Sequence, residues 1–521
     1  MWHIILAVAA IAFTYFYFNV KRKMSFWRNR GFPEDPGFFP YGSQGSKDFM
    51  SRKIAISETT TSAYNNFPNE RVVGTYEFMG KPSLVIRDLD LAKDILVKDF
   101  DQFSDRKPEG NNPYSPHTKN NRYLKRMLTE LRGKEWKDTR SSLSPIFSSS
   151  KLKAMVPLIH NVADKCNDHL DGLCGQDIEG NDLMRRFAID VISATCFGYE
   201  ANSFADPNNT FKQTADLIVG RKITYKTILM IMLYMFWPRL LQYLDWPFMN
   251  KDATLFFSKL VLQSLDERRK TKIRRNDLLD IVLDVLEKGG KSETKGEDID
   301  EQSPTQSIEE LEEIMISNSL AFFVAGLHTV SLTASIVLYN LAMNPEYQEK
   351  LYQEIYRAVE ENGGDEQLDY SAITGMEYME MFFQESFRFY PLNHTERASK
   401  NDYKISGTEL IIPKGIFVRI PILAIYKDKK YYDNPQKFNP ENFNAEKKAE
   451  RHPFASGGFG HGPRNCIAQR FATLEVKIAI ARILYRYKVL PCDKTVDELI
   501  PDPKSRSLQP KGEVFFTVQK R

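Results

Sequence analysis

The sequence predicts a mainly α-helical protein with small β-sheets, folded as one large globule behind an N-terminal transmembrane anchor. Three observations carry this. Patterning is mostly helical from Asp90 onward. Arg71 to Ile86 alternates apolar and polar residues around turn signals, as a small sheet would. Trp2 to Phe18 is almost wholly apolar and aromatic and is followed by Lys21-Arg22-Lys23. Within 521 residues no internal repeat, and no low-complexity stretch longer than a loop, divides the chain, which is long enough to bury a large core around a large cofactor. A net charge of only +3 gives no reason to expect a nucleic-acid partner. Five cysteines (Cys166, Cys174, Cys196, Cys466, Cys492) without paired spacing fit a reducing compartment rather than a disulfide framework.

The apolar N-terminal run is close to a bilayer span of roughly 17 to 20 residues. Its alanines lie early and its exit reads Tyr-Phe-Asn-Val-Lys, so it lacks the small-residue site of a cleaved signal and reads as an uncleaved anchor. The basic cluster behind it keeps the bulk of the chain on the cytosolic side, as a single-pass protein. Gly31-Phe32-Pro33, Pro36-Gly37 and Pro40-Tyr41-Gly42 then read as a stiff tether. The expected organisation is an anchor over 1–20, a basic and Pro/Gly-rich tether over 21–45, and a globule over 46–521.

Further along, Trp136-Lys137-Asp138-Thr139-Arg140 lies in a helical segment, with Trp136 and Arg140 on one face. Ile228 to Trp237 is a dense apolar run too short to span a bilayer, and suits either core or a membrane-dipping lip. Gly289 to Thr305 is charged and aperiodic, a surface loop. Ser307 opens a capping box with Glu310, and the helix it starts runs to Met343, where Asn344-Pro345 stops it. That is about 37 residues, on the order of 55 Å at 1.5 Å per residue. Met376 to Tyr390 is a second helix, ending before Pro391, and Tyr403 to Ile412 alternates like strand.

Phe459-Gly460-His461-Gly462-Pro463-Arg464-Asn465-Cys466-Ile467-Ala468 is the most informative stretch. It puts one cysteine in a loop shaped by glycines and a proline, at the head of a helix-like run from Ala468 to Tyr487. The positive end of a helix favours the thiolate. Gly460 and Gly462 admit backbone conformations that side chains forbid, and Arg464 can bond a carboxylate in bidentate fashion. The segment resembles the cysteine-ligand loop of the cytochrome P-450 superfamily, the haem-thiolate monooxygenases, whose pattern it matches at Phe459, Gly462, Arg464 and Cys466. It departs from that pattern at Ala468, where glycine is usual.

The resemblance implies the cytochrome P-450 fold and a haem b (iron protoporphyrin) with Cys466 as its axial thiolate. It extends to Ala325-Gly326-Leu327-His328-Thr329-Val330, which is similar to the family segment over the open face of the haem. There the glycine would let cofactor and oxygen approach the backbone, and a threonine hydroxyl bonded back to a carbonyl can open a local bulge. Thr329 keeps the hydroxyl, whereas His328 stands where the family has an acid. Histidine titrates near neutral pH, so His328 could shuttle protons, hydrogen-bond solvent or substrate, or face away. Glu385 and Arg388 match the family's buried Glu-x-x-Arg pair, a structural lock, whose usual third arginine is replaced here by Asn442. Trp136, Arg140, Arg397 and Arg464 are the matches for residues that neutralise the haem propionates. Lys477, Arg482, Arg486 and Lys488 resemble a basic docking surface for an acidic reductase, and equally suit a solvated charged face.

The nearest group in character is microsomal, with animal xenobiotic-metabolising and thromboxane-synthase-type members; an animal, arthropod source fits. The resemblance thus implies an endoplasmic reticulum enzyme inserting one oxygen atom into a small apolar molecule, a xenobiotic or an endogenous lipid or hormone. Electrons would come from NADPH through NADPH–cytochrome P-450 reductase, with cytochrome b5 as a further partner. The missing acid leaves open a reductase-independent isomerase or dehydratase of lipid peroxides, and a third reading is a haem or ligand carrier without turnover.

Overall fold

The computed structural model describes residues 1–107, 121–206, 210–219, 229–230, 233, 240, 243–244, 246–247, 249–275, 277–287, 308–392, 395–505 and 509–521. Nine strands run among them: β1 (Val72–Glu77), β2 (Lys81–Ile86), β3 (Ile178–Glu179), β4 (Thr395–Ala398), β5 (Tyr403–Lys404), β6 (Ile411–Ile412), β7 (Phe417–Ile420), β8 (Tyr487–Leu490) and β9 (Phe515–Lys520). Helices make up most of the rest, as the sequence predicts. The chain forms two compact units: Met1–Asn112 with Phe387–Asn465 and Leu499–Lys511, and Pro113–Ser386 with Cys466–Glu498 and Gly512–Arg521.

The first unit carries a four-stranded sheet in the order β1-β2-β7-β4. β1 and β2 are antiparallel, from Val72↔Ile86 to Glu77↔Lys81, and close through a turn at Phe78–Gly80. β7 runs parallel to β2 and antiparallel to β4, so Arg397 pairs with Val418. β5 and β6 form a separate hairpin inside the predicted strand region.

The N-terminal helix spans Trp2–Lys23 and ends on Lys21, Arg22 and Lys23, with Val20 its one buried residue. With the turns that follow, residues 2–30 are apolar and long enough to cross a membrane. The segment after it differs from the expected tether. Trp27 is completely buried, and its indole Nε1 donates to the Thr75 carbonyl at 3.1 Å. Gly74 of β1 makes room for it, since a Cβ there would lie 2.3 Å from the Trp27 ring. Asp35 N also donates to Gly74 O at 2.9 Å. Residues 24–43 are therefore part of the sheet's cover. The large apolar area of Trp27 outweighs the Pro/Gly punctuation around it.

The second unit is built on the helix Ile308–Met343, 36 residues long, which stops where Asn344-Pro345 follows. It too is apolar and long enough to cross a membrane, but it is mostly buried and is a core helix. It packs most extensively on the helix Gly180–Ile192, and further on Gln469–Arg486. A three-stranded sheet, β3-β9-β8, completes the unit. Ser307, the loop 289–305 and most of the apolar run 228–237 lie outside the described residues.

The helix Gln469–Arg486 corrects one expectation. Lys477 and Arg482 are buried, so they cannot form a docking surface. Lys477 Nζ lies 2.7 Å from Glu380, and Arg482 pairs with Asp164 and, at 2.9 Å, with Asp365. Arg482 also bonds His160 at 3.0 Å, whose other ring nitrogen meets the Leu368 carbonyl at 2.8 Å. Arg486 is half-buried and Lys488 exposed. A buried cation requires a partner, and the carboxylates that supply it come from distant parts of the sequence.

On the same helix Glu475 is fully buried, and neither carboxyl oxygen finds a hydrogen-bond partner among the described residues. Burial pushes its pKa well above the usual carboxylate range. Such a group costs stability as pH rises from its unfolded pKa of about 4.3 toward its folded value. Glu475→Gln removes the titration. The variant is expected to be more stable than the parent in thermal or denaturant unfolding, with a gain that grows as pH rises above about 4.3.

Candidate active site

In the first unit the loop before the cysteine is set by two glycines in the left-handed region, Gly460 at φ +79° and Gly462 at φ +72°. Gly462 has a second constraint: a Cβ there would lie 1.9 Å from the carbonyl oxygen of Leu96. Asn465 N donates back to Gly462 O at 2.9 Å, closing the turn. Phe459 anchors the loop from the other side, its ring 5.0 Å from that of Phe387. His461 stacks on Phe454 at 4.1 Å, over Gly457, where a Cβ would touch the imidazole.

Arg464 is buried. Its Nε donates to the Ser104 carbonyl at 2.8 Å, and its Nη2 lies 3.6 Å from Asp105. The carbonyl of Asp105 accepts from Ala398 N at 2.8 Å, which brings Arg397 of β4 into the same neighbourhood. Arg106 joins it, with Nη2 3.4 Å from the Arg464 carbonyl. Sequence reasoning missed Arg106, which sits in a loop without periodicity. Arg397 is 4% exposed, and its Nε has no hydrogen-bond partner among the described residues. Its Nη1 reaches only the neighbouring Glu396 carbonyl, at 2.8 Å. Burial first, then the positive charge of Arg106, lowers its pKa to about 10, so it stays charged at neutral pH. A buried guanidinium with an idle donor beside a second cation calls for an anion. Asp105 lies against Arg464, so among the described residues the idle Arg397 donor is left available to an anion. That is the complement of a porphyrin's two carboxylates, and the residues fit such a group.

In the second unit Cys466 is the exposed cysteine of the five, whereas Cys166 and Cys196 are buried. Burial raises the Cys196 thiol to about 12. The helix behind Cys466 begins at Gln469 with Ala468 as its N-cap. Alanine is therefore accommodated at the position where the family usually has glycine.

The long helix presents Ala325 and Thr329 as exposed positions one turn apart, although Leu327 and Val330 beside them are buried. A stripe of small and hydroxyl residues bared along a core helix is a surface for a flat group or a ligand. Thr329 Oγ1 donates to the Ala325 carbonyl at 2.7 Å, as the sequence predicts, but the helix continues through it without a bulge. Gly326 has a packing role as well. A Cβ on it would lie 2.3 Å from Ile192 Cδ1, so this glycine also serves close packing against the helix Gly180–Ile192. His328 is half-buried on the flank of the exposed stripe. Trp136 is buried and Arg140 half-buried on the helix Gly133–Leu143.

The lock residues are all buried: Glu385 at 0%, Arg388 at 1% and Asn442 at 1% exposure. Arg388 donates to three backbone carbonyls, those of Tyr426 (2.9 Å), Pro435 (2.8 Å) and Lys437 (3.2 Å). It therefore holds the irregular segment that leads toward the cysteine loop.

A sequence profile described as Cytochrome P450 matches residues 62–517. Cytochrome P450 6B7 of Helicoverpa armigera is 32% identical over 527 residues, covering 100% of this chain and 99% of that protein. Probable cytochrome P450 6a13 of Drosophila melanogaster is 34% identical over 485 residues, 92% of this chain and 91% of its own. Cytochrome P450 9e2 of Blattella germanica is 34% identical over 493 residues, 90% of this chain and 89% of its own.

The constraint at Gly462 is directly testable. Gly462→Ala meets both the left-handed penalty of ~1–2 kcal/mol and the Leu96 carbonyl. The variant is expected to retain at most a small fraction of wild-type haem. Haem content per protein, together with the red-shifted Soret band of the reduced carbon-monoxide complex, measures this.

Proposed function

The chain belongs to the cytochrome P450 family, and from that premise we propose that this monooxygenase oxidises small apolar organic compounds, xenobiotic or endogenous, with electrons drawn from NADPH. The electron donor is NADPH–cytochrome P-450 reductase, with cytochrome b5 as a second donor. The site of action is the cytosolic face of the endoplasmic reticulum, where the apolar helix Trp2–Lys23 anchors the chain. Its terminal Lys21, Arg22 and Lys23 favour the cytosolic orientation.

The observation that carries the reading is the exposed Cys466 behind a loop whose backbone is fixed at Gly462. A bound haem supplies the oxygen binding and activation that no side chain can. Cys466 would be its thiolate ligand. Arg397, Arg106 and Arg464 would offset the porphyrin carboxylates, with Trp136 and Arg140 contributing from their helix. Ala325 presents a methyl group, small enough to leave room for oxygen and substrate.

Thr329 manages protons on this stripe. Its hydroxyl hydrogen is committed to the Ala325 carbonyl, so its oxygen lone pairs face outward to accept from a water or from substrate. His328, one residue earlier, stands where the family has an acid and carries one donor and one acceptor nitrogen when neutral. Apolar compounds suit the stripe because its two exposed positions, Ala325 and Thr329, carry no charge.

Reconstitution with reductase tests the reading. NADPH-dependent conversion of an apolar substrate is expected; hydroperoxide turnover with neither NADPH nor reductase would sink it in favour of an isomerase. Thr329→Val is expected to keep haem content while product formed per NADPH consumed falls several-fold. A product-to-NADPH ratio equal to the parent's would remove Thr329 from proton handling.

A further inference from the structure

The resemblance places an arginine at the position that Asn442 occupies, as the third member of the lock. Asn442 is buried and carries no charge, yet a guanidinium still reaches this spot. It comes from Arg451, which follows the short helix Ala445–Glu450. Arg451 Nη2 donates to the Asn442 backbone carbonyl, and its Nε donates to the Tyr431 carbonyl at 3.0 Å. Its guanidinium carbon lies 4.0 Å from the centre of the Tyr432 ring and 5.1 Å from that of Phe443.

Tyr432 is the shared element. It is 1% exposed, and the guanidinium of Arg388 also lies over its ring, at 5.1 Å. Two cations over one desolvated aromatic ring gain cation–π attraction that an exposed ring would not give. Each is further held by backbone carbonyls, those of 426, 435 and 437 for Arg388 and those of 431 and 442 for Arg451. The hold is then passed toward the cysteine. Tyr432 Oη donates to the Ala455 carbonyl at 2.9 Å, and Tyr426 Oη accepts from Gly457 N at 2.9 Å. Both acceptor and donor lie just before the Phe459–Asn465 loop.

We propose that Arg451 is the second arginine of the lock, a positioning residue that, with Arg388 and Tyr432, fixes the backbone entering the cysteine loop and so holds the thiolate on its iron. The role has moved along the chain from position 442 to position 451. Asn442 tolerates the loss because its carbonyl, rather than its side chain, accepts the bond. The inference rests on the haem-thiolate reading of Cys466, and the controls separate the two: a parent protein without the red-shifted carbon-monoxide band refutes that reading, not this one.

The test follows the conversion of that band to its blue-shifted, thiolate-free form during heating, alongside global unfolding by tryptophan fluorescence. In Arg451→Ala the band is expected to convert on the order of tenfold faster, from loss of a buried cation–π contact and two charge-assisted hydrogen bonds, while the unfolding midpoint moves little. Arg451→Lys should recover only part of the effect, because an ammonium cannot stack on Tyr432 and reach both carbonyls at once. Asn442→Arg in the Arg451→Ala background should restore slow conversion, since it returns a guanidinium to the same site. Arg451→Ala that keeps the parent's conversion rate overturns the proposal, as does a fall of both midpoints together, which marks a merely structural residue. If Arg451→Ala yields no soluble protein, Arg451→Lys decides by the same two measurements, and failure of Asn442→Arg to slow its conversion counts against the shared role.

Discussion

The closeness of Leu96 to Gly462 governs the geometry of this protein's chemistry. A carbonyl oxygen sits where the first atom of any side chain would have to go, and the backbone there is already in the left-handed region. The loop can therefore take one path, and the residue four positions later is Cys466. Everything else that bears on this path acts by limiting how it could relax. Phe459 is packed on Phe387, His461 is stacked on Phe454, and Arg464 is tied to Ser104 and Asp105. A loop held by so many independent contacts need not be ordered when a ligand arrives, which is what preorganisation means physically.

Electrostatics divides the arginines into two classes. Arg482 and Arg388 are held by carboxylates or backbone carbonyls, and serve to staple segments together. Arg397 keeps a donor idle in a buried position beside Arg106. The first class spends its charge within the fold. The second leaves a buried donor that favours binding an anionic group, and burial strengthens that preference because little solvent competes for it. The same reasoning applies with opposite sign to Glu475, which is buried without a partner and so favours its neutral form.

The long helix shows how one element serves both core and site. Most of its surface is apolar and packed, and Gly326 lies in close contact with Ile192 of the helix Gly180–Ile192. The proposed function lies on the remaining stripe, where alanine and threonine stand at two exposed positions a turn apart. The Thr329 hydroxyl satisfies itself on Ala325 O, so the stripe carries a polar group without leaving its hydrogen unpaired. Motif and packing thus overlap in five residues but act on different faces, as 100° per residue dictates.

Along the chain alone, most of the fold and the candidate ligand Cys466 were legible. Helix lengths, the stop at Asn344-Pro345, the Thr329 back-bond, the glycine turn and Cys466 depend on residue type and short spacing, which are local properties. Tertiary structure alone decided which charges are spent and which remain available. Lys477 and Arg482 look like surface cations by composition, and become staples because Glu380, Asp164 and Asp365 fold against them. Arg106 carries no signal in sequence, yet it stands beside Arg397; Trp27 looks like part of a tether, yet it is core. The reason is physical: a side chain's period places it on a face, but its neutralisation and burial are set by partners that chain distance does not encode.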